Sequence, residues 1–400
     1  MSTFLRRRIF IRRLAAYVPA FRSIGWAVWL VAFAAGSVCA QSWSRQRDPA
    51  LFYLTGGDRA LASFAAHHDQ ISTLAPQAFA LTSWGALRGG IAPRWLDLAH
   101  ANHVRLMPLV INDNFSSWVA TRMLRSPAAC DRAIGALLAT ARRDGLAGWQ
   151  LDFEGLPDWD RARLTHFVRE AARALHHRGL ALSVAVAART DNLHTDSYIH
   201  FTGVYDYHAL ARYADFLTVM AYPESGRHHP GPLASYPWVA QVLSFILQSV
   251  PPNKISLGIP DYQSDWGYHR VRIHFWRRVG HRLRRFWRWA WRLIGFSGRV
   301  RTQPGDLHWD PKLRSAYRVY GHGLHRHVVW VEDRRSLEAK LDLVSIYHLR
   351  GYSIWRLGLE DASIWTILPR FKPVPAVVED VDSSASAAPL LPRLRHQTAH

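Results

Sequence analysis

The chain has 400 residues, of which 49% are hydrophobic and 18 are tryptophan, so it is long and apolar enough for one large α/β domain, and wholesale disorder is excluded. Its net charge is +20, but six arginines lie in the first 40 residues and eleven more in residues 267–305, which contain no acidic residue. Removing these six and these eleven charges from +20 leaves about +3 for the rest of the chain, which argues against a nucleic-acid-binding protein.

The N-terminus has the pattern of an export signal. Its arginines precede an apolar run over residues 24–35, and small residues follow, with a cleavage position before Gln41. The run is shorter than the about 20 residues that a membrane span needs. We therefore predict that residues 1–40 are a signal peptide, with an uncleaved signal anchor as the alternative. Either interpretation predicts an exported protein that is periplasmic, extracellular or anchored to the outer face of the cytoplasmic membrane. Cleavage would leave Cys130 as the sole cysteine, without an intramolecular disulfide.

Strand-like and helix-like segments alternate from about residue 50 to residue 368. The strand candidates are short, apolar and often β-branched, as buried parallel strands are. They are Ala50–Leu54, Ala78–Thr82, Arg105–Ile111, Gly148–Phe153, Ala181–Ala187, Phe216–Ala221, Ile255–Ile259 and Tyr352–Leu357. Apolar spacings of three and four predict helices between them, most clearly over Cys130–Arg143, Arg161–His177, Trp238–Val250 and Ser336–Leu349. Eight βα units predict an α/β fold, a (β/α)8 TIM barrel over residues 50–370, with an open doubly wound sheet as the alternative.

The most informative strand is the fourth, which reads Gly-Trp-Gln-Leu-Asp-Phe-Glu-Gly from Gly148. Because side chains alternate along a strand, Gln150, Asp152 and Glu154 share one face, which points into the barrel near its catalytic C-terminal mouth. Such a row of polar groups is costly unless it is paired or functional. Two close carboxylates do not both ionise comfortably, and a carboxylic acid held protonated can protonate a glycosidic oxygen. A buried hydrogen-bonded network without catalytic function is the alternative.

This strand resembles the DGxDxDxE signature of glycoside hydrolase family 18, and the resemblance extends over most of residues 50–368. The nearest likeness is to the bacterial branch of spore-germination and cortex-lytic N-acetylglucosaminidases, although the LysM cell-wall-binding repeats common in that branch do not precede the barrel. The other matching motifs are Met220-Ala221-Tyr222, Gly231-Pro232-Leu233-Ala234 with Pro237-Trp238, Gly258-Ile259-Pro260 with Tyr262, and the run from Gly351 to Asp361. Together and in this order, these motifs indicate the family.

The resemblance implies a metal-independent glycosidase without a cofactor, in which the 2-acetamido group of the substrate acts as the nucleophile. Glu154 would be the acid and then the base, Asp152 would orient the acetamido N–H, and Tyr222 would donate to the acetamido carbonyl. The residues expected to bind substrate are Gln150, Trp355 as the floor under the sugar, Tyr262, Glu224 and Tyr53. The implied substrate is a polysaccharide containing β-linked N-acetylglucosamine, with peptidoglycan first and chitin-type polymers or poly-N-acetylglucosamine next.

Three positions depart from the family pattern. Ala147 and Gln150 stand where the signature has Asp, and Pro223 follows Tyr222 where the family usually has Asp. Gln150 can form a hydrogen bond with Asp152 but cannot share its charge. The alternative function is therefore a catalytically inactive, chitinase-like glycan-binding protein.

Residues 267–305 lie between the seventh and eighth predicted strands and carry the arginines. Apolar residues recur there at spacings near three and four, arginines fill the remaining positions, and Gly295 ends the run. We predict a cationic amphipathic helix that binds an anionic membrane or wall polymer, and the alternative is a helix packed on the barrel rim. Residues 371–400 are rich in Pro, Ser and Ala and are predicted to be a disordered tail.

Overall fold

A computed structural model describes residues 50–226, 230–279, 282–298 and 305–370. The predicted leader and the predicted C-terminal tail lie outside the described residues. In chain order the described strands are β1 (Ala50–Leu54), β2 (Thr73–Leu81), β3 (Leu87–Gly89), β4 (Arg105–Leu106), β5 (Leu109–Asn112), β6 (Gly148–Asp152), β7 (Ala181–Ala187), β8 (Phe216–Met220), β9 (Ile255–Pro260), β10 (Gln263–Val279), β11 (Arg282–Gly298), β12 (Leu307–Asp310), β13 (Ser315–Tyr320), β14 (His327–Val331) and β15 (Gly351–Trp355).

Eight of these strands form a closed parallel barrel. Their order is β1-β15-β9-β8-β7-β6-β5-β2, and β1 also pairs with β2, which completes the ring. Phe52 marks the closure, because it is in register with Leu74 on one side and with Ile354 on the other. The predicted (β/α)8 TIM barrel is confirmed, and the open doubly wound sheet is excluded.

Helices connect the barrel strands on the outside. The described α-helices are α1 (Asp58–His67), α2 (Pro93–Ala101), α3 (Ser117–Leu124), α4 (Pro127–Asp144), α5 (Arg161–His176), α6 (Asp196–His200), α7 (Tyr207–Tyr213), α8 (Tyr236–Ile246) and α9 (Arg334–Ile346). Local sequence fixes several ends. The Ser126 hydroxyl caps α4 beside Pro127, and Gly145 ends that helix with a left-handed φ of 60°. In the part of the chain that the structure describes, no helix is long and apolar enough to cross a membrane.

The core has two layers, as the alternation of β6 predicts. Trp149, Leu151 and Phe153 face outward and are buried against the helices, and the Trp149 indole N–H donates to the Leu137 carbonyl of α4 at 3.2 Å. A smaller apolar cluster that includes Leu51 fills the interior of the barrel. The opposite face of β6 carries Gln150 and Asp152 into that interior. The strand therefore presents apolar residues to the helices and polar residues to the barrel lumen.

The segment between β9 and β15 is larger than the predicted insert and consists mainly of β-strands. It contains a five-stranded antiparallel sheet with the order β11-β10-β14-β13-β12, followed by α9. Within it, β10 and β11 form a hairpin in which Gln263 is in register with Gly298 and Val279 with Arg282. The prediction of an amphipathic helix over residues 267–305 was wrong.

The prediction failed because this sequence is compatible with a β-strand as well as with the helical spacing of three and four. The run is rich in Val, Ile, Phe and Trp, which favour strands, and only Gly280 and His281 separate β10 from β11, a spacing typical of hairpins. In addition, residues 263–267 of β10 pair with β14, so the chain is already in a β-strand where residues 267–305 begin.

Candidate active site

The site lies at the C-terminal end of β6, where the chain leaves the barrel. Asp152 is the last residue of the strand and is buried, and Glu154 follows two residues later and is half-buried. Gly155 then turns the chain with a φ of 71°. A Cβ at Gly155 would lie 3.1 Å from the Phe115 carbonyl, so a side chain would be strained there both by conformation and by contact.

The Asn112 side chain holds the backbone of Glu154. This amide is buried at the end of β5, accepts from the Glu154 N–H at 3.0 Å and donates to the Glu154 carbonyl at 3.0 Å. It also donates to the Ser116 carbonyl at 3.1 Å. Asn112 was missed in the sequence, although a polar residue at the C-terminal end of an apolar barrel strand was an available signal.

Asp152 and Glu154 form a proton-sharing pair. Burial raises the pKa of Asp152 well above its ordinary range, and the charge of Glu154 and a hydrogen bond to it raise that pKa further. Burial also raises the pKa of Glu154, while its hydrogen bond to Asp152 opposes the increase. One proton between the two carboxyl groups avoids two adjacent buried charges. Asp152 Oδ1 is buried and has no hydrogen-bond partner among the described residues.

A buried polar network that includes Gln150 lies in the interior of the barrel. The Gln150 amide N–H donates to the Tyr53 hydroxyl, and the Ser183 hydroxyl donates to Gln150 Oε1 at 3.1 Å. Ser353 continues the network, with its hydroxyl 2.6 Å from that of Ser256 and 3.4 Å from that of Thr218. Gln150 therefore satisfies its polar groups inside the barrel through neutral partners, which explains how an amide is accommodated where the signature has Asp.

Tyr222 lies two residues beyond the end of β8. Burial raises the pKa of Tyr222 well above its ordinary range, and Tyr53, Tyr262 and the two carboxyl groups of the pair add to this effect. Burial likewise raises the pKa of Tyr262 to about 12. Both phenols therefore stay neutral hydrogen-bond donors at physiological pH.

Trp355 ends β15 and forms one wall of the lumen. Its ring centroid is 5.4 Å from that of Tyr53, with an angle of 50° between the planes. Its carbonyl accepts from the Asp261 N–H at 2.6 Å, which joins the ends of β15 and β9. The half-buried indole is thus positioned by the barrel itself.

Glu224 is the predicted site residue whose partners lie away from the carboxyl pair. One of its oxygens accepts from the Ser235 N–H at 2.6 Å, and the other accepts from the Ser235 hydroxyl at 3.0 Å. Ser235 is the N-cap of α8, so Glu224 stabilises the start of that helix. Its role in substrate binding stays a prediction.

Tyr205 is a second residue that the sequence did not identify. Its buried hydroxyl donates to the Phe153 carbonyl at 2.8 Å, between the two members of the acid pair. Burial raises the pKa of Tyr205 well above its ordinary range, and Glu154 and Asp152 raise it further. No sequence signal marked it, because it lies in an irregular segment 51 residues beyond Glu154.

The described residues contain no group of three or more His, Cys, Asp or Glu side chains arranged to hold a metal ion. What the site can do chemically is move a proton at Glu154, accept a hydrogen bond at Asp152 Oδ1 and donate one from Tyr222.

The chain is similar in sequence and in fold to known proteins. Residues 41–360 match Glycosyl hydrolases family 18. The chain is 27% identical over 323 residues to the uncharacterized glycosylase YvbX of Bacillus subtilis (strain 168), over 78% of this chain and 88% of that protein. It is 29% identical over 297 residues to the cortical fragment-lytic enzyme of the same organism, over 72% of this chain and 65% of that protein. Its fold matches the chitinase of Chromobacterium violaceum ATCC 12472 with a TM-score of 0.65 and 28% identity, over 80% of this chain and 97% of that one.

Proposed function

The chain belongs to glycosyl hydrolases family 18 and is a glycoside hydrolase, and we propose that it cleaves polysaccharides containing β-linked N-acetylglucosamine by a substrate-assisted, retaining mechanism. The predicted resemblance to the family and to its cortex-lytic branch is confirmed. Peptidoglycan is the first proposed substrate, because a relative bears the name cortical fragment-lytic enzyme. Chitin-type polymers and poly-N-acetylglucosamine follow.

The observation that carries the proposal concerns Asp152, one of the two carboxyl groups of the pair: its buried Oδ1 has no hydrogen-bond partner among the described residues. A buried acceptor without a donor is unfavourable in the free protein, and the N–H of a bound 2-acetamido group would satisfy it. Asp152 would accept a hydrogen bond from that N–H as a carboxylate anion. The proton of Asp152 would therefore pass to Glu154. Substrate binding would therefore place the proton on the residue that faces the leaving group.

Bond cleavage then follows from the residues in the site. Glu154 protonates the glycosidic oxygen as the bond to C1 breaks, and the acetamido carbonyl oxygen forms a new bond to C1. The resulting oxazolinium cation lies next to Asp152, whose negative charge stabilises it. Glu154, now a carboxylate, accepts a proton from water as that water attacks C1 and the bond between C1 and the acetamido oxygen breaks. This step regenerates the acetamido group, restores the starting pair and retains the anomeric configuration.

Tyr222, Trp355 and Gln150 supply the remaining contacts in this proposal. The neutral Tyr222 hydroxyl donates to the acetamido carbonyl and aligns its oxygen with C1. The Trp355 indole packs under the sugar ring. Gln150 and Tyr53 lie beneath Asp152 and position its carboxyl group, and Tyr262 is a further donor near the sugar.

The test is turnover on paired substrates. The wild-type protein should release reducing ends from N-acetylated polymers and far fewer from the same polymers after de-N-acetylation, because the latter have no acetamido nucleophile. Glu154→Gln should reduce turnover by at least about 10²–10⁴-fold and retain glycan binding. Glu338→Gln, at a partly exposed position on α9, is the matched control. Equal hydrolysis of both polymers would refute the substrate-assisted route, and glycan binding without any turnover would indicate the inactive glycan-binding alternative.

We also propose that the β10–β11 hairpin binds an anionic membrane surface. Beyond Gly267, β10 pairs only with β11 among the described strands, so twelve residue pairs form a two-stranded ribbon roughly 40 Å long. Arg270 is in register with Trp291, and Arg272 with Trp289. Arginine and tryptophan together favour the headgroup region of anionic lipid, since each cation there adds about 1 kcal/mol. The alternative is that the hairpin binds an anionic wall polymer. Binding of the protein to anionic lipid vesicles would favour the membrane over this alternative.

Export is the remaining proposal, and it rests on the sequence of residues 1–40, with its arginines and short apolar run. A glycoside hydrolase acting on wall glycans would meet its substrate outside the cytoplasmic membrane. Fractionation of cells that produce the full chain, followed by N-terminal sequencing of the exported protein, would distinguish a cleaved signal peptide from an anchor.

A further inference from the structure

Two exposed tryptophans frame a groove next to the catalytic strand. Trp118 and Trp159 are 59% and 58% exposed, so most of each ring is open to solvent. They line a cavity of about 580 Å³, within the size range of ligand sites. The other residues that line this cavity are Ser117, Thr121, Arg122, Arg125 and Pro157. Large exposed aromatic groups concentrated in one concave place indicate a binding surface.

The groove belongs to the catalytic mouth of the barrel. Trp118 lies in the first turn of α3, which follows β5, and Trp159 lies five residues beyond Glu154. The Asn112 amide joins the two sides, because it donates both to the Ser116 carbonyl, just before α3, and to the Glu154 carbonyl. A glycan chain that enters the groove is therefore adjacent to the proposed acid.

Hydrogen bonds make the floor of the groove rigid. Asp160, the residue after Trp159, is buried, and its carboxylate accepts a hydrogen bond from the Thr121 hydroxyl of α3. The second oxygen of Asp160 accepts from the Arg163 guanidinium at 2.8 Å. These contacts tie α3 to the turn that carries Trp159. A preformed groove binds with a smaller loss of conformational entropy than a mobile one.

The groove also carries two arginines that form no ion pair with the described residues. The Arg122 guanidinium lies 4.5 Å from the Trp84 ring and 5.3 Å from the Trp118 ring. Arg125, one turn further along, is exposed. Neither arginine forms an ion pair with any residue in the described ranges, and none of the described residues that line the cavity is acidic. Two guanidinium groups without an ion-pair partner among the described residues, one of them beside aromatic rings, favour a ligand that is a sugar and an anion at once.

We propose that this groove is a binding subsite for a carboxylate-bearing sugar unit of the polysaccharide chain. The inference rests on the proposed glycosidase function and narrows its substrate class from N-acetylglucosamine polymers in general to acidic ones. Trp118 and Trp159 pack against sugar rings, and Arg122 and Arg125 contact the carboxylate. A neutral polymer makes only the first set of contacts.

The test compares two soluble polymers with the same N-acetylglucosamine backbone, neutral glycol chitin and anionic carboxymethyl chitin. For the full-length protein, retention in gels containing each polymer measures binding, and reducing-end release measures kcat/KM. The variants are Arg122→Gln/Arg125→Gln, Arg125→Gln alone in case the double variant does not fold, and Trp159→Ala. Arg142→Gln is the control, because it removes one exposed arginine near the C-terminal end of α4, at the opposite end of the barrel.

We expect the wild-type protein to favour the carboxylated polymer by about tenfold in both measurements, which corresponds to about 1.4 kcal/mol. The double variant should bring this ratio close to one, Arg125→Gln should reduce it in part, and Trp159→Ala should weaken retention by both polymers. Arg142→Gln should keep the wild-type ratio. An unchanged ratio in the arginine variants would overturn the subsite. Selective retention without turnover of either polymer would support the subsite and refute the hydrolase mechanism, so the two failures are distinguishable.

Discussion

The carboxamide of Asn112 binds both backbone polar groups of Glu154, each at 3.0 Å. The two residues are 42 positions apart: Asn112 ends strand β5, and Glu154 lies two residues beyond the end of the neighbouring strand β6. The proposed acid is therefore positioned through its backbone by the adjacent strand, while its carboxyl group stays available to share a proton with Asp152. The position of the acid depends on a residue that takes no part in proton transfer.

Asn112→Ala should lower activity by misplacing Glu154. Removal of the amide leaves the Glu154 N–H and carbonyl and the Ser116 carbonyl without this partner, so the free energy of unfolding should fall by about 1–3 kcal/mol. We expect kcat to fall more than tenfold while KM changes little, since no substrate contact is lost. Urea unfolding and steady-state kinetics check this. Asn102→Ala, which removes one hydrogen bond to the Leu98 carbonyl at the end of α2, is the control. A variant with reduced stability and wild-type kcat would show that Asn112 is only structural.

Asp152→Asn should change how stability depends on pH. Because burial raises the pKa of Asp152, the folded protein keeps this proton at pH values where the unfolded chain has lost it. The contribution of Asp152 to stability is therefore largest below the unfolded pKa of about 3.9 and decreases as pH rises towards the folded pKa. The asparagine variant does not titrate, so it should become more stable relative to the wild type as pH rises from about 4 towards the raised folded pKa of Asp152.

The measurement is urea unfolding of both proteins across that pH range, with Asp97→Asn as the control at an exposed position on α2. The difference in unfolding free energy for the control should change much less with pH. A difference for Asp152→Asn that stays flat, or one with the opposite slope, contradicts the raised pKa.

Gln150→Leu should destabilise the barrel from inside. The side chain is fully buried, and its loss would remove one partner each from the hydroxyl groups of Tyr53 and Ser183. We expect a decrease of about 1–3 kcal/mol in the free energy of unfolding, since leucine fills the space but cannot accept or donate. Gln248→Leu, an exposed position beyond α8, should stay within about 0.5 kcal/mol of the wild type. The measurement is chemical denaturation of the two variants and the wild type. If Gln150→Leu were as stable as the wild type, water would have replaced the hydrogen bonds of the amide.

Neutralising the hairpin arginines should abolish binding to anionic vesicles. The proposed variant replaces Arg277, Arg278, Arg282, Arg284 and Arg285 with Gln, at register positions near the β10–β11 turn. Each arginine contributes about 1 kcal/mol near an anionic surface, and raising salt from about 0.1 M to about 1 M shortens the Debye length from about 10 Å to about 3 Å. Co-sedimentation with anionic and neutral vesicles across this salt series is the measurement. Equal binding of the variant and the wild type, or equal binding to anionic and neutral vesicles, would contradict the proposal and indicate a purely structural hairpin.

The sequence predicted local features well and contacts between distant residues poorly. The bounds of β1 and β7 match the predictions to the residue, because short runs of mainly apolar residues are typical of buried strands. The alternation in β6 placed Gln150 and Asp152 inside the barrel correctly. By contrast, β2 begins at Thr73 rather than Ala78, and the strand predicted over Arg105–Ile111 is divided into β4 and β5.

The hairpin and the support of the acid pair were harder to predict for one common reason. Whether Trp287 and its neighbours form a helix or a strand depends on the partner across the ladder, and that partner is set by chain reversal and by β14 rather than by local spacing. The partners of Glu154 and Glu224 likewise come from other segments. Periodicity carries no information about such contacts, so Asn112, Tyr205 and Ser235 became visible only in three dimensions.

Barrel closure joins the two ends of the described chain. Strand β1 begins at residue 50, and its partner β15 ends at residue 355, so the ring lacks one wall until nearly the whole sequence has been synthesised. Until then β1 and β9 each have a free edge that no earlier strand can cover. A chain truncated before Gly351 would consequently keep two unpaired strand edges and an open interior. It would aggregate rather than form a smaller enzyme.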